Sequence, residues 1–373
     1  MLKHRHMIKF IYEKALEAGH NNCVTRHGCS TSLELDEMDK ISNIVTDTIK
    51  IPIAIVCYGC GRHVTAVHGN YVYSCKSCGD IFQRNRYIST PQKGKVAIVT
   101  GARTKLGHQI CLKLLRAGAT VFGTTRFTEK ALAIFSRYPD WEEWKSRLYL
   151  YPLDMDVTDM EAEFVKLRDF ISTTTTKVDI LINCAAQTIR HREKMAQVDR
   201  DLSTESNRYG DCKFVEPEAV NSWNMTLPDI TQGEMEELFR INSIAPLILT
   251  KVFIKMLHNS DRAFLVNVHA KEGIFNTHKT AKHMHTNMAK AALAMFTRCL
   301  SEHNYASDTT GSKIAIHGCD PGWISVDEYE LHGSPWITPP LDEVDGAARI
   351  LYPIWLDRST NAKTRRHFER FIY

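Results

Sequence analysis

Four cysteines occur in two pairs with the spacing of a metal site. Cys57 and Cys60 are separated by two residues, as are Cys75 and Cys78, and fourteen residues lie between the pairs. A glycine follows each pair directly, which lets the backbone turn tightly around a metal. Four thiolates suit a closed, tetrahedral structural Zn²⁺ site that has no open position for catalysis. The spacing therefore predicts a structural zinc ion.

The segment that carries these cysteines, residues 51–92, is predicted to be a zinc ribbon. Val64–His68 and Tyr71–Ser74 are short strand-like runs on either side of a Gly69-Asn70 turn, which indicates a hairpin. Its basic residues are few, so contact with nucleic acid is only the alternative to a structural role. Residues 1–50 are predicted to form a small helical segment, whose second helix runs from Ser32 to Ile49.

A second group of residues with chemical meaning is a glycine turn between a strand and a helix. Lys95–Thr100 is a β-branched run of the kind that becomes a buried parallel strand, and Gly101 ends it. Apolar residues at helical spacing follow, and Ala119–Thr125 reads as the next strand. This is the first half of a dinucleotide-binding unit, in which the pyrophosphate lies at the helix N-terminus. Residues 93–373 are therefore predicted to form an α/β domain, a doubly wound parallel Rossmann sheet.

The turn itself, Thr100-Gly101-Ala102-Arg103-Thr104-Lys105-Leu106-Gly107, resembles the Thr-Gly-x-x-x-Gly-x-Gly turn of the short-chain dehydrogenases/reductases. Lys105 stands where the family has its middle glycine. Its side chain could crowd a bound phosphate or contact it. A helix-packing turn without any ligand is the alternative interpretation.

Three later segments extend the resemblance over residues 93 to about 330. Asn183-Cys184-Ala185-Ala186 is similar to the family's Asn-Asn-Ala-Gly segment, and Pro321-Gly322 is similar to its turn on the nicotinamide side. Asp156-Val157 matches the family's contact to adenine, although Asp156 or Thr158 could instead cap the next helix.

The cofactor is expected to be NADP(H). An NAD site has a carboxylate at the end of the second strand to bind the ribose hydroxyls. Here Arg126 follows that strand, and the first carboxylate after it is Glu129. Arg103 adds a second guanidinium for a 2′-phosphate. The predicted cofactor-binding residues are Gly101, Arg103, Lys105, Leu106, Gly107, Arg126, Asp156, Val157, Asn183, Ala185, Ala186, Lys290, Pro321 and Gly322.

The resemblance also implies a catalytic asparagine, serine, tyrosine and lysine, of which two are replaced. Asn242 and Lys290 match, but Thr286 stands in the tyrosine position and His269 or Ala270 in the serine position. A threonine hydroxyl has a pKa far above the ~10 of tyrosine, so it is a poor general acid. His269, His278, His283 and His285 cluster in the sequence, and an imidazole can donate a proton near neutral pH. The catalytic candidates are Asn242, Lys290, Thr286, His269 and His285.

The leading hypothesis is an NADP(H)-dependent oxidoreductase that reduces a carbonyl or oxidises an alcohol of a small molecule with a non-standard active site. The alternatives are a catalytically silent subunit of a larger complex and a nucleotide sensor. Two apolar runs, Ile244–Phe253 and Ala291–Phe296, could form the family's homo-oligomer face. A substrate lid is expected within Gln187–Gln232.

Composition favours an intracellular protein in a reducing compartment. The chain is 43% hydrophobic, yet its longest apolar runs, such as Ile51–Val56, are far shorter than the ~20 residues of a membrane span. Eleven cysteines without a recognisable signal peptide favour thiols and metal ligands over disulfides. The cytoplasm is the expected compartment, and the basic stretch Met1–Phe10 leaves the mitochondrion as the alternative.

Overall fold

A computed structural model describes residues 48–187, 222–302, 313–324 and 339–356. The predicted helical segment lies outside the described residues up to residue 47, as does residue range 188–221 of the expected lid.

The first described part, which we call the cysteine module, is a hairpin followed by a helix. Strand β1 (Thr48–Val56) pairs antiparallel with β2 (His63–His68), and helix α1 (Lys76–Tyr87) follows. Two predictions are wrong here. The chain is already a strand at Thr48, so no helix reaches Ile49, because alternating Ile49 and Ile51 bury one face of β1. The hairpin turn also lies between Cys57 and Cys60, whereas residues 71–74 form turns ahead of α1.

The central element is a six-stranded parallel sheet with the strand order β5-β4-β3-β6-β7-β8. The strands are β3 (Val96–Thr100), β4 (Thr120–Thr125), β5 (Leu148–Pro152), β6 (Ile180–Asn183), β7 (Arg262–Val268) and β8 (Lys313–Cys319). The order reverses between β3 and β6, which is where a doubly wound sheet opens a crevice for a dinucleotide at its carboxyl edge. The predicted Rossmann sheet is confirmed.

Helices cover the sheet and connect its strands. They are α2 (Lys105–Arg116), α3 (Thr128–Phe135), the single turn α4 (Trp141–Trp144), α5 (Met160–Ser172), α6 (Gln232–Phe239), α7 (Ala245–His258), α8 (Met284–Glu302) and α9 (Glu343–Trp355). A π-helical turn, Arg240–Ile244, joins α6 to α7. Among the described residues, no helix is both long enough and apolar enough to cross a membrane.

Each face of the sheet has its own apolar core, because successive side chains of a strand point to opposite faces. Ala97 and Val99 of β3 belong to the core that contains α2 and α9. Val96 and Ile98 belong to the opposite core, which contains α5 and α7. All five residues of β3 are buried, so this strand is covered on both sides, as expected for the centre of a doubly wound sheet.

Candidate functional site

The turn after β3 is built so that backbone can approach backbone. The Thr100 hydroxyl accepts hydrogen bonds from the amides of Cys184 and Ala185, both 2.9 Å long, and so ties the end of β6 to β3. A Cβ on Gly107 would lie 2.2 Å from the Gly101 carbonyl oxygen, and Gly101 has φ of +77°. These glycines therefore bring the start of α2 against the turn, and a bound pyrophosphate would face the N-terminus of that helix.

Lys105 adopts the conformation that the family's middle glycine would favour. Its φ is +48°, in the left-handed region where side chains are strained. The nearby Glu343 has a pKa raised to about 7, because burial outweighs the opposing effect of the Lys105 charge. Lys105 thus begins α2, and its charge acts on Glu343 at the start of α9.

Three cations surround one aromatic ring just past the carboxyl end of β4. The Phe127 ring centroid lies 5.1 Å from the Arg103 guanidinium carbon, 5.4 Å from that of Arg126 and 5.1 Å from the Lys130 ammonium. We call these four residues the cation cluster. Phe127 and Lys130 were missed by sequence reasoning, although Lys130 follows Arg126 by four residues. The cluster concentrates positive charge where the adenosine half of a dinucleotide would lie.

Asp156 lies beyond β5 and is held by an ion pair. Its Oδ1 accepts from Arg240 Nε at 2.6 Å. It does not cap the next helix, and neither does Thr158. Asp159 caps α5 instead, since its carboxylate accepts from the Ala162 amide. Val157 packs against the core on the α5 face. The position predicted to contact adenine therefore lies next to this ion pair.

Asn242 anchors the strand end from the π-helical turn. Asn242 is buried within that turn. Its side-chain amide bonds the Gln187 backbone twice: Oδ1 accepts from the Gln187 amide at 2.8 Å, and Nδ2 donates to the Gln187 carbonyl at 2.7 Å. Asn183, at the end of β6, donates to Asn267 Oδ1 at 2.7 Å. These amides are satisfied by protein groups and support the backbone that lines the crevice.

Lys290 brings its ammonium to the carboxyl edge of the sheet. Nζ donates to the Val268 carbonyl at the end of β7 at 3.0 Å. Burial lowers the pKa of Lys290, and the thiol of Cys184 and the carboxylates of Glu272 and Asp320 partly offset that effect. Thr286, one turn earlier on α8, is 3% exposed, and its hydroxyl has no hydrogen-bond partner among the described residues.

The histidines are placed poorly for the proton transfer predicted for them. His269 is buried, contacts Thr297 Oγ1 at 3.0 Å through Nε2, and has a pKa lowered to about 3 by burial and by the Lys290 charge. His285 is fully buried at 3.5 Å from the Glu234 carboxylate, and burial lowers its pKa. His283 stacks on Trp223. A neutral, buried imidazole has no imidazolium proton to give at pH 7, so the structure argues against His269 and His285 as the acid.

The four cysteines of the cysteine module converge, held by the β1–β2 hairpin and by helix α1. One pair lies in the β1–β2 turn and the other at the start of α1, and the four sulfur atoms lie within 4.8 Å of one another. Tetrahedral Zn–S bonds of ~2.3 Å require sulfur atoms about 3.8 Å apart, and Cys60 and Cys75 are 4.0 Å apart. Arg62 donates to Cys60 at 3.3 Å and lowers the pKa of that thiol to about 6. The donor set fits Zn²⁺.

Most predicted cofactor positions thus lie within a few residues of the carboxyl ends of β3, β4, β5, β6 and β8. Lys105, Leu106 and Gly107 begin α2, and Lys290 lies on α8 with its ammonium at the end of β7. A sequence profile described as short chain dehydrogenase matches residues 95–330, which is more than half of the chain. The chain belongs to the short-chain dehydrogenase family. This member carries the cysteine module ahead of the matched region.

Individual relatives match different shares of the chain. An uncharacterized protein of Acanthamoeba polyphaga mimivirus is 34% identical over 363 residues, which is 87% of this chain and 76% of that protein. Salutaridine reductase of Papaver somniferum is 28% identical over 187 residues, which is 50% of this chain and 57% of the enzyme. The chain therefore spans little more than half of that reductase.

A solved short chain dehydrogenase from Burkholderia cenocepacia, in complex with NADP, has the same fold. It superposes with a TM-score of 0.52 at 18% identity and covers 70% of this chain and 91% of its own.

Proposed function

We propose that this protein is an NADP(H)-dependent oxidoreductase that acts on a carbonyl or alcohol group of a small molecule. The observation that carries the proposal is the cation cluster, which stands where an NAD site has a carboxylate. A 2′-phosphate adds about two negative charges, which the three cations can neutralise. The Burkholderia structure, solved in complex with NADP, supports the choice of cofactor.

When bound, NADPH would supply a hydride, and the carbonyl oxygen of the substrate would need one proton. Lys290 is the residue proposed to provide it, because its ammonium is buried at the sheet edge and its pKa is lowered by that burial. Thr286 lies one helical turn away and can pass a hydrogen bond between ammonium and substrate. Asn242 would keep the strand end in place.

Cofactor choice can be tested by calorimetry with NADPH and NADH. Arg126→Ala should weaken NADPH binding about tenfold or more and leave NADH unchanged, because one charge-assisted contact is worth ~1.5–3 kcal/mol. Arg137→Ala, an exposed arginine past the end of α3, is the matched control. If Arg126→Ala weakens both nucleotides equally, the 2′-phosphate is not being recognised there.

The reaction can be tested with a panel of ketones, aldehydes and enones by following NADPH oxidation. If Lys290 is the acid, the reduction rate should fall as the pH rises through its lowered pKa, and Lys290→Met should remove most of kcat. A reduction rate that falls as the pH rises through about 6.5 would instead indicate a histidine as the proton donor.

A second candidate is a cofactor-binding protein without turnover, that is, a silent subunit or sensor. It is favoured by the buried Thr286 hydroxyl and by the absence of the family tyrosine and serine. Protein that binds NADPH yet oxidises none with the whole panel would support it.

The zinc ion is proposed to be structural. Of its four proposed ligands, Cys57, Cys75 and Cys78 are buried. Four thiolates leave no coordination position for substrate, so the metal would stabilise the module and take no part in the reaction.

A further inference from the structure

We propose that Tyr58 of the cysteine module is a positioning residue for the cofactor. Through it, the metal site holds the turn after β8, which borders the nicotinamide half of the crevice. This inference rests on the proposed binding of NADP(H), and it assigns the module a purpose beyond its own folding.

The position of that turn follows from the sheet. With the adenosine half over β4 and the pyrophosphate at α2, the other nucleotide half must extend across the order reversal towards β6, β7 and β8. The turn Asp320–Trp323 directly follows β8, and the charge of Asp320 acts on the pKa of Lys290. The turn is therefore next to the reacting end of the crevice.

Tyr58 contacts this turn directly. Its hydroxyl accepts a hydrogen bond of 2.8 Å from the Trp323 amide, across 265 positions in the sequence. A Cβ on Gly322 would lie 2.8 Å from the same hydroxyl and 2.8 Å from Leu341, and Gly322 has φ of +83°. The turn is thus packed against the module with no room for a side chain.

The metal ligands fix Tyr58 itself. It lies between Cys57 and Cys60 in the β1–β2 turn, so both neighbouring ligands restrain its backbone. Its amide also donates to the Tyr73 carbonyl at 2.7 Å, and its ring contacts Phe82 of α1. A metal bound by both cysteine pairs would hold the β1–β2 turn against α1. It would thereby fix the position of the Tyr58 hydroxyl relative to the turn after β8.

A second set of contacts holds the module against the start of α9. Arg86 of α1 bonds Asp342 at 2.6 Å and Asp345 at 3.0 Å, and the Tyr71 hydroxyl donates to Asp345 at 2.8 Å. Asp342 caps α9, so this contact joins α1 to the first turn of that helix. The module consequently cannot slide without breaking buried ion pairs.

The test uses the full zinc-loaded chain and two ligands. NADPH spans both halves of the crevice, whereas adenosine 2′,5′-bisphosphate occupies only the adenosine half. Tyr58→Phe removes the hydroxyl and keeps the ring, and Tyr149→Phe removes a hydroxyl on β5 as the control. We expect Tyr58→Phe to weaken NADPH about three- to tenfold, to leave the bisphosphate within twofold, and to retain one zinc per chain.

Amide hydrogen exchange gives a readout that needs no ligand. The Trp323 amide should exchange faster in Tyr58→Phe and in chelator-treated protein, but not in Tyr149→Phe. Unchanged exchange and unchanged NADPH affinity in Tyr58→Phe overturn the inference while NADP(H) binding stands. Equal weakening of both ligands also overturns it, because the effect would then be global. If the unaltered chain binds neither ligand, the proposed function fails and takes this inference with it.

Discussion

Replacing Lys105 by glycine separates a conformational effect from an electrostatic one. A left-handed backbone costs an L-residue about 1–2 kcal/mol, and Lys105 has φ of +48°. Glycine removes that strain but loses roughly 0.5–1 kcal/mol through the greater freedom of the unfolded chain. Lys105→Ala keeps the strain. The glycine variant should therefore be about 1 kcal/mol more stable than the alanine variant, or roughly 1–2 °C higher in Tm, because the entropy of unfolding grows with chain length.

Both variants remove the same ammonium, so they should lose the same affinity. If Lys105 contacts the pyrophosphate, NADPH should bind each of them roughly tenfold more weakly than the unaltered chain. The measurements are thermal unfolding without ligand and calorimetry with NADPH.

Two results would refute this reasoning. An alanine variant at least as stable as the glycine variant would mean that Lys105 is not left-handed. A glycine variant that binds NADPH more tightly than the unaltered chain would mean that the lysine crowds the phosphate.

Three further predictions concern metal, pH and assembly. Cys75→Ser should bind less than one zinc per chain by elemental analysis and lose exchange protection in residues 51–92, while the sheet stays protected; full zinc binding would contradict the metal site. Burial raises the pKa of Glu343 from 4.5 to about 7, so as the pH rises this carboxyl loses its proton in the unfolded chain before it does so in the folded chain. The free energy of unfolding therefore decreases between these two pH values, by up to about 3 kcal/mol. Glu343→Gln should therefore be more stable than the unaltered chain at pH 8 and equal at pH 4 in urea titrations; equal stability at both would contradict the raised pKa. Leu247 and Met295 are 41% and 61% exposed on α7 and α8, so Met295→Glu should shift a homo-oligomer to monomer in light scattering, whereas an already monomeric parent rules that oligomer out.

The sheet and its glycine turn could be predicted because their signals are local. A fully buried strand such as Val96–Thr100 must read as a continuous apolar run, and close approach to the start of α2 requires Gly107. The cysteine spacing likewise identified four groups that do converge. The spacing could not predict which secondary structure carries the second pair, Cys75 and Cys78, because both the start of a helix and a hairpin turn are compatible with two intervening residues.

Side-chain environments could not be predicted, because they depend on contacts between distant segments. Histidines near Lys290 in sequence suggested an acid, yet burial makes His269 neutral. Lys130 joins the cation cluster only because α3 begins at Thr128 and directs it back over Phe127. Tyr58 meets Trp323 across most of the chain, and no short-range pattern carries that information.

The bonds from Arg86 to Asp342 and from Tyr71 to Asp345 have a consequence for folding during synthesis. The partners of the first bond are 256 positions apart in the sequence, and those of the second are 274 positions apart. The module therefore cannot dock until α9, the last described helix, has been made. At ribosomal rates of ~5–20 residues per second, α1 waits roughly 10 to 50 seconds for its partner. During that interval the four thiols have only local chain to protect them. Early metal capture would therefore protect the cysteines from oxidation before α9 emerges.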